Sequence, residues 1–302
     1  MIDDLPEVIK ESSCLLFADD LKLFHVVKDI KDQNVLQGEI NKILNWSKDN
    51  KLYFNVSKCS VMSFTRKRSP NHYLYEIEGE PLTRVLEVRD LGICFSADLN
   101  FKKHIISTCN KAYRNLGFVL RQANEFNNIR ALKALYDALV RSHLEFNSVI
   151  WGPSEDKYKF MVERIQNKFT RFMYCKLYKV YPGYPLLYPT LFVLGMVGYF
   201  KLETRREVAL ATYLIKVFRG MMCNGDILSE IRLCVPDGYA GRRRRPQLLA
   251  LPSARTNLLQ RAPLTRALRT LNAVADQLDV FTCSLNDFVV ATYSLISFSG
   301  LK

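Results

Sequence analysis

The chain has 302 residues, of which 48% are hydrophobic and 24% are charged, so it is long and apolar enough to bury a core. At about 100 to 200 residues per domain, this length predicts about two structural units. Lys and Arg number 43 against 30 Asp and Glu, which gives a formal charge of +13 at pH 7. Such a surplus favours a polyanionic partner through counterion release, so nucleic acid is the expected partner class.

Cysteine spacing and apolar runs exclude several protein classes. The eight cysteines form no CxxC pair or Cys/His cluster, which argues against a zinc site and a secreted disulfide scaffold. The first residues, MIDDLPEVIK, lack the basic and apolar regions of a signal peptide, so an intracellular protein is expected. The uncharged run at 180–200 contains three prolines. Because prolines interrupt a helix, we expect a buried core segment there and no membrane span.

The first hundred residues show a mixed pattern. Residues 13–27 are two apolar runs around the polar break Ala18-Asp19-Asp20, which predicts a β-hairpin. Apolar residues at helical spacing predict an amphipathic helix over 32–50. Short apolar runs predict strands, with a hairpin turn at residues 78–80; these runs are 53–56, 61–64, 73–77 and 86–95. The pattern is that of a small α+β unit ending near residue 97.

Beyond residue 97 the apolar period becomes helical, and the remaining chain is predicted to be mainly helical. The predicted helices are 101–122, 128–146, 158–174 and about 198–222. Within the second of them, one apolar stripe is expected to contain Leu132, Leu135, Tyr136, Leu139 and Val140.

An arginine-rich segment follows these helices. Residues 238–275 contain eight arginines and no Asp or Glu. Its densest part is the run Arg242, Arg243, Arg244 and Arg245. Such a run is a phosphate-binding arm, a nuclear-import signal or a solvated loop, and these alternatives stay open.

Two adjacent carboxylates, Asp19 and Asp20, lie at the tip of the predicted hairpin. Like charges repel, and burial between strands would further disfavour their ionisation, so a cation is expected beside them. In two-metal phosphoryl transfer, carboxylates hold paired Mg²⁺ ions about 3.5 to 4 Å apart. An Asp-Asp turn suits that task, although the same composition is also typical of an ordinary exposed turn.

Several segments resemble one family in order along the chain. Phe17-Ala18-Asp19-Asp20 resembles the F/Y-x-D-D turn of reverse transcriptases. The segment at 55–60, NVSKCS, is similar to the next motif of that family, and Leu91-Gly92-Ile93 is similar to its primer-grip turn. Further segments resemble the helical thumb and the region after it; these are 98–105, 139–145, 151–153, 162–169, 202–206 and 244–266. The chain thus resembles, over nearly its whole length, the reverse transcriptases of jockey-type non-LTR retrotransposons.

The resemblance implies an α+β fold in which a partial palm (1–97) precedes a helical thumb-like region (98–180). A helical C-terminal region (181–302) follows, with its arginine-rich segment at 242–269. The implied activity of the parent enzyme is RNA-directed DNA synthesis by two-metal nucleotidyl transfer with Mg²⁺. Its partners would be an RNA template, a DNA primer or RNA–DNA hybrid, and dNTPs, in the nucleus and cytoplasm.

The resemblance also implies roles for single residues. Asp19 would coordinate the metals directly, Asp20 more weakly, and Lys58 would stabilise or protonate the pyrophosphate leaving group. The other implied contacts are Phe17 and Ala18 at the nucleotide or primer end, Leu91 and Gly92 at the primer strand, and Arg242, Arg243, Arg244 and Arg245 on nucleic acid. From the residues alone, Lys58 is equally typical of an ordinary surface lysine, and Gly92 of a glycine at the end of a strand.

The chain departs from the family before the hairpin. The family places fingers and a first catalytic aspartate there, whereas about a dozen residues precede the hairpin here, and Asp3 and Asp4 do not match that aspartate. A two-metal site needs carboxylates from separate strands, so the chain alone is expected to be inactive.

Three hypotheses remain open. The chain is a polymerase fragment that needs an upstream palm and fingers piece, a nucleic-acid-binding module without catalysis that uses its basic helical region, or a decayed product that does not fold cooperatively. We also expect the edges of a partial palm sheet to cause self-association.

Overall fold

The protein is described by a computed structural model that covers residues 4–65, 67, 72–123, 128–182, 189–234, 247–253 and 256–299. The chain divides into two compact units, residues 1–100 and 101–302. The first unit mixes helices with short strands, whereas the named elements in the described part of the second are all helices. The expected α+β class is therefore confirmed at this coarse level.

The first unit consists of short elements around one long helix. They are α1 (Leu5–Val8), β1 (Ser13–Phe17), β2 (Asp20–Phe24), α2 (Ile30–Asp49), a 3₁₀ helix (Val56–Lys58), β3 (Ser60–Val61), β4 (Glu76–Ile77), β5 (Glu80–Pro81), β6 (Thr83–Arg84), β7 (Glu87–Asp90) and β8 (Ile93–Ser96). β1 pairs antiparallel with β2, and β3 pairs parallel with β6. The predicted hairpin and the predicted helix α2 are confirmed.

A capping box fixes the start of α2. The Asp29 carboxylate accepts hydrogen bonds from the backbone N–H groups of Lys31 and Asp32, and the Asp32 carboxylate accepts one from the N–H of Asp29. These bonds satisfy N–H groups that have no partner within the helix, and such a cap contributes about 1 kcal/mol.

The β1–β2 hairpin is covered on one face only. Its inner residues pack against a buried cluster from α1 and α2; the inner residues are Cys14, Leu16, Leu21 and Leu23, and the cluster is Leu5, Ile9, Ile43 and Trp46. On the alternate positions Leu15, Phe17 and Phe24 are exposed. The expectation that buried strands enclose the acidic turn is therefore wrong, because side chains alternate between the two faces of a strand.

All four predicted strands differ in the structure. The runs at 61–64 and 73–77 contain only one residue of β3 and the two residues of β4. The run at 53–56 forms no strand and leads into the 3₁₀ helix. The run at 86–95 is a hairpin of two strands, β7 and β8, with Leu91 and Gly92 as its turn. Both turn residues have positive φ, 43° and 86°, which is the type I′ pattern that matches the twist of hairpin strands.

The second unit is a series of helices. They are α3 (Lys102–Gln122), α4 (Ile129–Tyr136), a π-helical segment (Asp137–Arg141), α5 (Ser142–Glu145), α6 (Ser148–Trp151), α7 (Asp156–Tyr178), α8 (Thr190–Val197), α9 (Leu202–Phe218), α10 (Gly225–Glu230), α11 (Asn257–Gln260), α12 (Pro263–Ala275) and α13 (Leu285–Ser299). The predicted helices at 101–122 and 158–174 are confirmed, with α7 longer at both ends. The helix predicted at 198–222 is shorter at both ends, since α9 spans Leu202–Phe218.

A π-helical segment changes the predicted apolar stripe at 128–146. Leu132, Tyr136, Val140 and Leu144 are fully buried, whereas Leu139 is exposed and Leu135 is only partly buried. Residues four apart drift by about 40° per step on an α-helix, at 3.6 residues per turn. The wider π turn at Asp137–Arg141 offsets this drift and keeps the four buried residues on one side.

Helices α9, α12 and α13 enclose a second apolar core, whose buried residues include Leu210, Leu214, Leu268, Leu271 and Phe288. The uncharged run at 180–200 contains α8, which buries Val193 and Leu194 and exposes Leu191 and Phe192. Among the described residues, no helix combines the length and apolar character that crossing a membrane requires.

Candidate functional site

The acidic turn lies at an exposed hairpin tip. Phe17 pairs with Asp20 across the hairpin, so Ala18 and Asp19 form the turn. Ala18 has a φ of 53°, and this left-handed conformation costs a non-glycine residue about 1 to 2 kcal/mol. Phe17, Ala18, Asp19 and Asp20 are all exposed to solvent. The burial between strands that was expected at this turn is therefore absent.

Lys22, on strand β2 of the hairpin, forms an ion pair with a residue outside the hairpin. Lys22 Nζ lies 2.7 Å from an Asp90 carboxylate oxygen, and this ion pair joins β2 to β7. Asp90 directly precedes the Leu91-Gly92 turn, so the ion pair connects two of the segments that the sequence singled out. Leu91 and Gly92 are themselves exposed.

Lys58 lies at the end of the exposed 3₁₀ helix Val56–Lys58. Within the described part of the chain, no hydrogen bond or ion pair connects Lys58 with Asp19 or Asp20. The structure therefore does not bring these three residues into one bonded cluster.

The donor set around the acidic turn is small. No three or more His, Cys, Asp or Glu side chains come together to hold a metal ion in the described ranges. Asp19 and Asp20 are neighbours on one turn, whereas a two-metal site takes carboxylates that converge on both ions. The carboxylates that the structure describes do not fit a two-metal site by themselves.

The arginine run Arg242, Arg243, Arg244 and Arg245 lies outside the described residues. Two later arginines of the same segment have structural contacts. Arg266 forms an ion pair with Glu207, and Arg269 Nη1 donates to the backbone carbonyl of Gln260 at 3.0 Å. The ion pair of Arg266 therefore neutralises part of the charge of the segment within the helical unit.

A basic face that the sequence reasoning missed lies on α3. This helix carries five Lys or Arg residues and no Asp or Glu over its 21 residues. Its outward side exposes Lys111, Arg114 and Arg121, and none of them forms an ion pair among the described residues. Tyr113 and Phe118 are 41% and 49% exposed on the same helix. The acid-free stretch at 99–124 is the sequence signal that would have revealed this face.

Helix α7 carries exposed basic residues of its own. Lys157, Phe160, Arg164 and Lys168 recur at spacings of three and four residues, so they share one side of the helix, and all four are exposed. Lys168 Nζ donates to the Tyr113 hydroxyl at 3.1 Å and lies 4.7 Å from the centre of its ring. This contact joins the two helices, and we call their exposed side the α3/α7 face.

Ion pairs within the second unit join segments that are distant in sequence. Arg205 donates through two nitrogens to the Glu145 carboxylate, and this bidentate bond raises the pKa of Arg205. Glu163 accepts from the backbone N–H of Glu203 at 2.6 Å, but burial raises the pKa of its carboxyl. Burial disfavours the charged form of a base as well, so it lowers the pKa of Arg206. The Nη2 atom of Arg206 lies 3.9 Å from the Glu163 carboxylate.

Aromatic contacts support the same region. Tyr136 stacks on Phe169 with ring centres 3.9 Å apart, and the ring of Trp151 lies edge-on to His104 at 5.1 Å. Trp151 Nε1 donates to the Phe146 carbonyl at 2.7 Å. These contacts join residues of α3, α4, α6 and α7 within the second unit.

Comparison of the chain with protein-family models, curated proteins and solved structures finds no match.

Proposed function

We propose that this chain is part of an RNA-directed DNA polymerase similar to the jockey-type non-LTR reverse transcriptases, and that by itself it binds nucleic acid without catalysing synthesis. The observation that carries the binding proposal is the α3/α7 face, which combines unpaired basic side chains with exposed aromatic rings. The family proposal is supported by the order of motifs along the sequence.

Charge supports binding to phosphates. Lys111, Arg114 and Arg121 on α3, and Arg164 on α7, are exposed and have no acidic partner among the described residues. A nucleic acid carries condensed counterions, and each Lys or Arg that contacts a phosphate releases some of them, which stabilises the complex.

Aromatic rings support contact with bases. Phe160 is 72% exposed, and Tyr113 and Phe118 are about half exposed on the neighbouring helix. Exposed rings among basic side chains are typical of surfaces that stack unpaired bases, where each base contributes about 1 to 3 kcal/mol. The proposed ligand is therefore an RNA template or an RNA–DNA hybrid with a single-stranded extension.

The acidic turn supports the proposed relation to reverse transcriptases more than catalysis by this chain alone. Asp19 and Asp20 would hold Mg²⁺ for nucleotide transfer only together with carboxylates on another strand, because two-metal catalysis needs a clamp on both ions. The Lys22–Asp90 ion pair keeps the Leu91-Gly92 turn connected to the hairpin. This connection supports the proposal that Phe17, Leu91 and Gly92 contact the primer end in a complete enzyme, where Lys58 would act on the pyrophosphate.

Salt-dependent binding tests the proposal. Affinity for a fluorescent RNA–DNA hybrid with a single-stranded RNA extension is measured by anisotropy from 50 to 300 mM KCl. Arg114→Gln, Arg121→Gln and Arg164→Gln should each weaken binding and reduce the slope of log K against log salt by about 0.7 to 0.9. Lys201→Gln changes an exposed lysine outside α3 and α7 and serves as the matched control.

Two further variants separate the alternatives. Replacement of Arg242, Arg243, Arg244 and Arg245 by Gln tests the second candidate surface, and Asp19→Asn tests the acidic turn. An unchanged slope in the α3 and α7 variants, with a reduced slope in the four-arginine variant, would move the binding site to the arginine run. Asp19→Asn should leave affinity unchanged.

A further inference from the structure

A partly exposed histidine, His143, lies beside the basic helix α3. It is a residue of α5 and contacts Asn115 of α3. Residues four apart on a helix share one side, so the exposed Lys111 lies on the same side of α3 as Asn115. Lys111 is one of the basic residues of the α3/α7 face, and His143 is therefore a neighbour of that face.

Two contacts of Asn115 define the protonation state of His143. Asn115 Nδ2 donates to the backbone carbonyl oxygen of Leu139 at 2.8 Å and lies 3.1 Å from His143 Nε2. A carbonyl oxygen can only accept, so the amide nitrogen, and not the amide oxygen, faces both partners. An amide nitrogen can only donate, so Nε2 accepts and the ring proton lies on Nδ1. His143 is therefore held as a neutral imidazole.

The surroundings of His143 also oppose a second proton on its ring. Helix α5 packs against α3, the π-helical segment and α9. Four charged residues of α5, the π-helical segment and α9 form ion pairs with one another; they are Asp137, Arg141, Glu145 and Arg205. Lys111 on α3 is the charged neighbour that acts on the imidazole itself. Burial, and then the Lys111 ammonium, lower the pKa of His143 below its ordinary value of 6.5.

We propose that His143 takes up a proton when a nucleic acid occupies the α3/α7 face, and that its imidazolium becomes a further cationic contact of that surface. The inference rests on the proposed binding of nucleic acid to this face. A phosphate beside Lys111 offsets the repulsion from the ammonium and places a negative charge near the ring, and both effects favour the imidazolium. The proton comes from solvent and binds at Nε2, where the bond from Asn115 breaks, while Nδ1 keeps its own proton.

Proton uptake makes the affinity for nucleic acid depend on pH. A ligand that favours the protonated ring raises the pKa of His143 in the complex, so by linkage the ring binds its proton more tightly there than in the free protein. The affinity then rises as the pH falls through the pKa of the complex, and it levels off below the pKa of the free protein. An opposite charge within about 4 to 6 Å shifts a pKa by about one unit or more, so we expect an affinity rise of about five- to tenfold between pH 8 and pH 5.5.

Binding titrations with the full chain test this dependence. The probe is an RNA–DNA hybrid with a single-stranded RNA extension and no terminal phosphates, because phosphate monoesters themselves titrate near pH 6. Its affinity is measured by fluorescence anisotropy from pH 5.5 to pH 8 at constant ionic strength. His143→Gln stays neutral at every pH, so it should lose most of the rise and bind within about twofold of the original chain at pH 8. His25→Gln changes a partly exposed histidine of the first unit and serves as the matched control, which should keep the full rise.

Nuclear magnetic resonance of rings labelled with carbon-13 measures the proton on His143 itself. The chain has four histidines, and the resonance that disappears in His143→Gln assigns the ring. We expect a pKa below 6.5 in the free protein and a higher pKa in the complex. Equal melting temperatures of His143→Gln and the original chain at pH 8 and at pH 5.5 show that the variant is folded in both titrations.

The proposed function and this inference fail by different results. If the chain binds no nucleic acid at any pH, the proposed function is wrong and this inference is wrong with it. If His143→Gln binds with the same pH dependence as the original chain, or if the pKa of His143 is the same in the free protein and the complex, this inference alone is wrong. Binding of nucleic acid by the α3/α7 face would then stand without the histidine.

Discussion

Replacing Arg206 by methionine should destabilise the second unit strongly. Arg206 is only 4% exposed, and its partner Glu163 has a side chain 13% exposed. Removing the guanidinium leaves the Glu163 carboxylate buried and without its cation. A buried charge that loses its partner is costly, because neither water nor an opposite charge then stabilises it.

The distance between the two groups sets the magnitude. At 3.9 Å and an effective dielectric constant of about 20, two unit charges attract by about 4 kcal/mol. Measured losses on breaking buried pairs are about 3 to 5 kcal/mol. We therefore expect Arg206→Met to lower the free energy of unfolding by about 3 to 5 kcal/mol at pH 7.

The pH dependence of this loss follows from the carboxyl. Burial raises the pKa of Glu163, so the folded protein binds this proton more tightly than the unfolded chain does. The stability that protonation of Glu163 contributes is fully present below the pKa that this carboxyl has in the unfolded chain. It is lost as the pH rises through the pKa of the carboxyl in the folded protein. The destabilisation by Arg206→Met should therefore shrink as pH falls from 7 towards 4.5.

Urea unfolding followed by circular dichroism measures these free energies. The double variant Arg206→Met, Glu163→Gln keeps an acceptor for the N–H of Glu203 and should cost much less than the sum of the single changes. Single variants that each cost less than about 1 kcal/mol and add without coupling would refute the reasoning.

Three further predictions concern packing, association and thiol reactivity. Gly152→Ala places a methyl group 2.8 Å from a backbone carbonyl oxygen, so it should cost about 1 to 3 kcal/mol in urea unfolding. The exposed Leu15 and Phe17 should cause self-association, which Leu15→Thr with Phe17→Thr reduces; a concentrated original chain that scatters light as a monomer would contradict this. Burial raises the pKa of Cys109 to about 11, so at pH 8 it should react with a thiol reagent only after unfolding.

Local patterns in the sequence predicted the elements whose structure depends on neighbouring residues. The β1–β2 hairpin follows from two apolar runs around a polar break, and α2 follows from apolar spacing. Its start is fixed by Asp29 and Asp32, three residues apart. Such signals lie within one or two turns of chain, which is why they are readable without tertiary structure.

Features that depend on distant contacts were not predictable. Apolar spacing alone does not show that Leu139 is exposed while Val140 is buried, because the π-helical segment turns both residues relative to the helix before it. Strand patterning likewise did not show that only one face of the acidic hairpin is covered. Which basic residues stay unpaired also depends on tertiary contacts, since Arg266 has an acidic partner on another helix and Arg114 has none among the described residues.

The acidic turn illustrates the difference between a motif and a site. The family resemblance implied Asp19 and Asp20 as metal ligands, and the structure places them on one exposed turn without a third ligand in the described ranges. A motif reports local geometry, whereas a two-metal site requires carboxylates from separate segments to converge.

Primer extension combined with binding tests the central claim most directly. The purified chain of residues 1–302 and its Asp19→Ala variant are incubated with an RNA template, a DNA primer, dNTPs and Mg²⁺. We predict that both proteins bind the template–primer with equal affinity and that neither extends the primer. Extension by the original chain that disappears in Asp19→Ala would contradict the account and show a complete catalytic site.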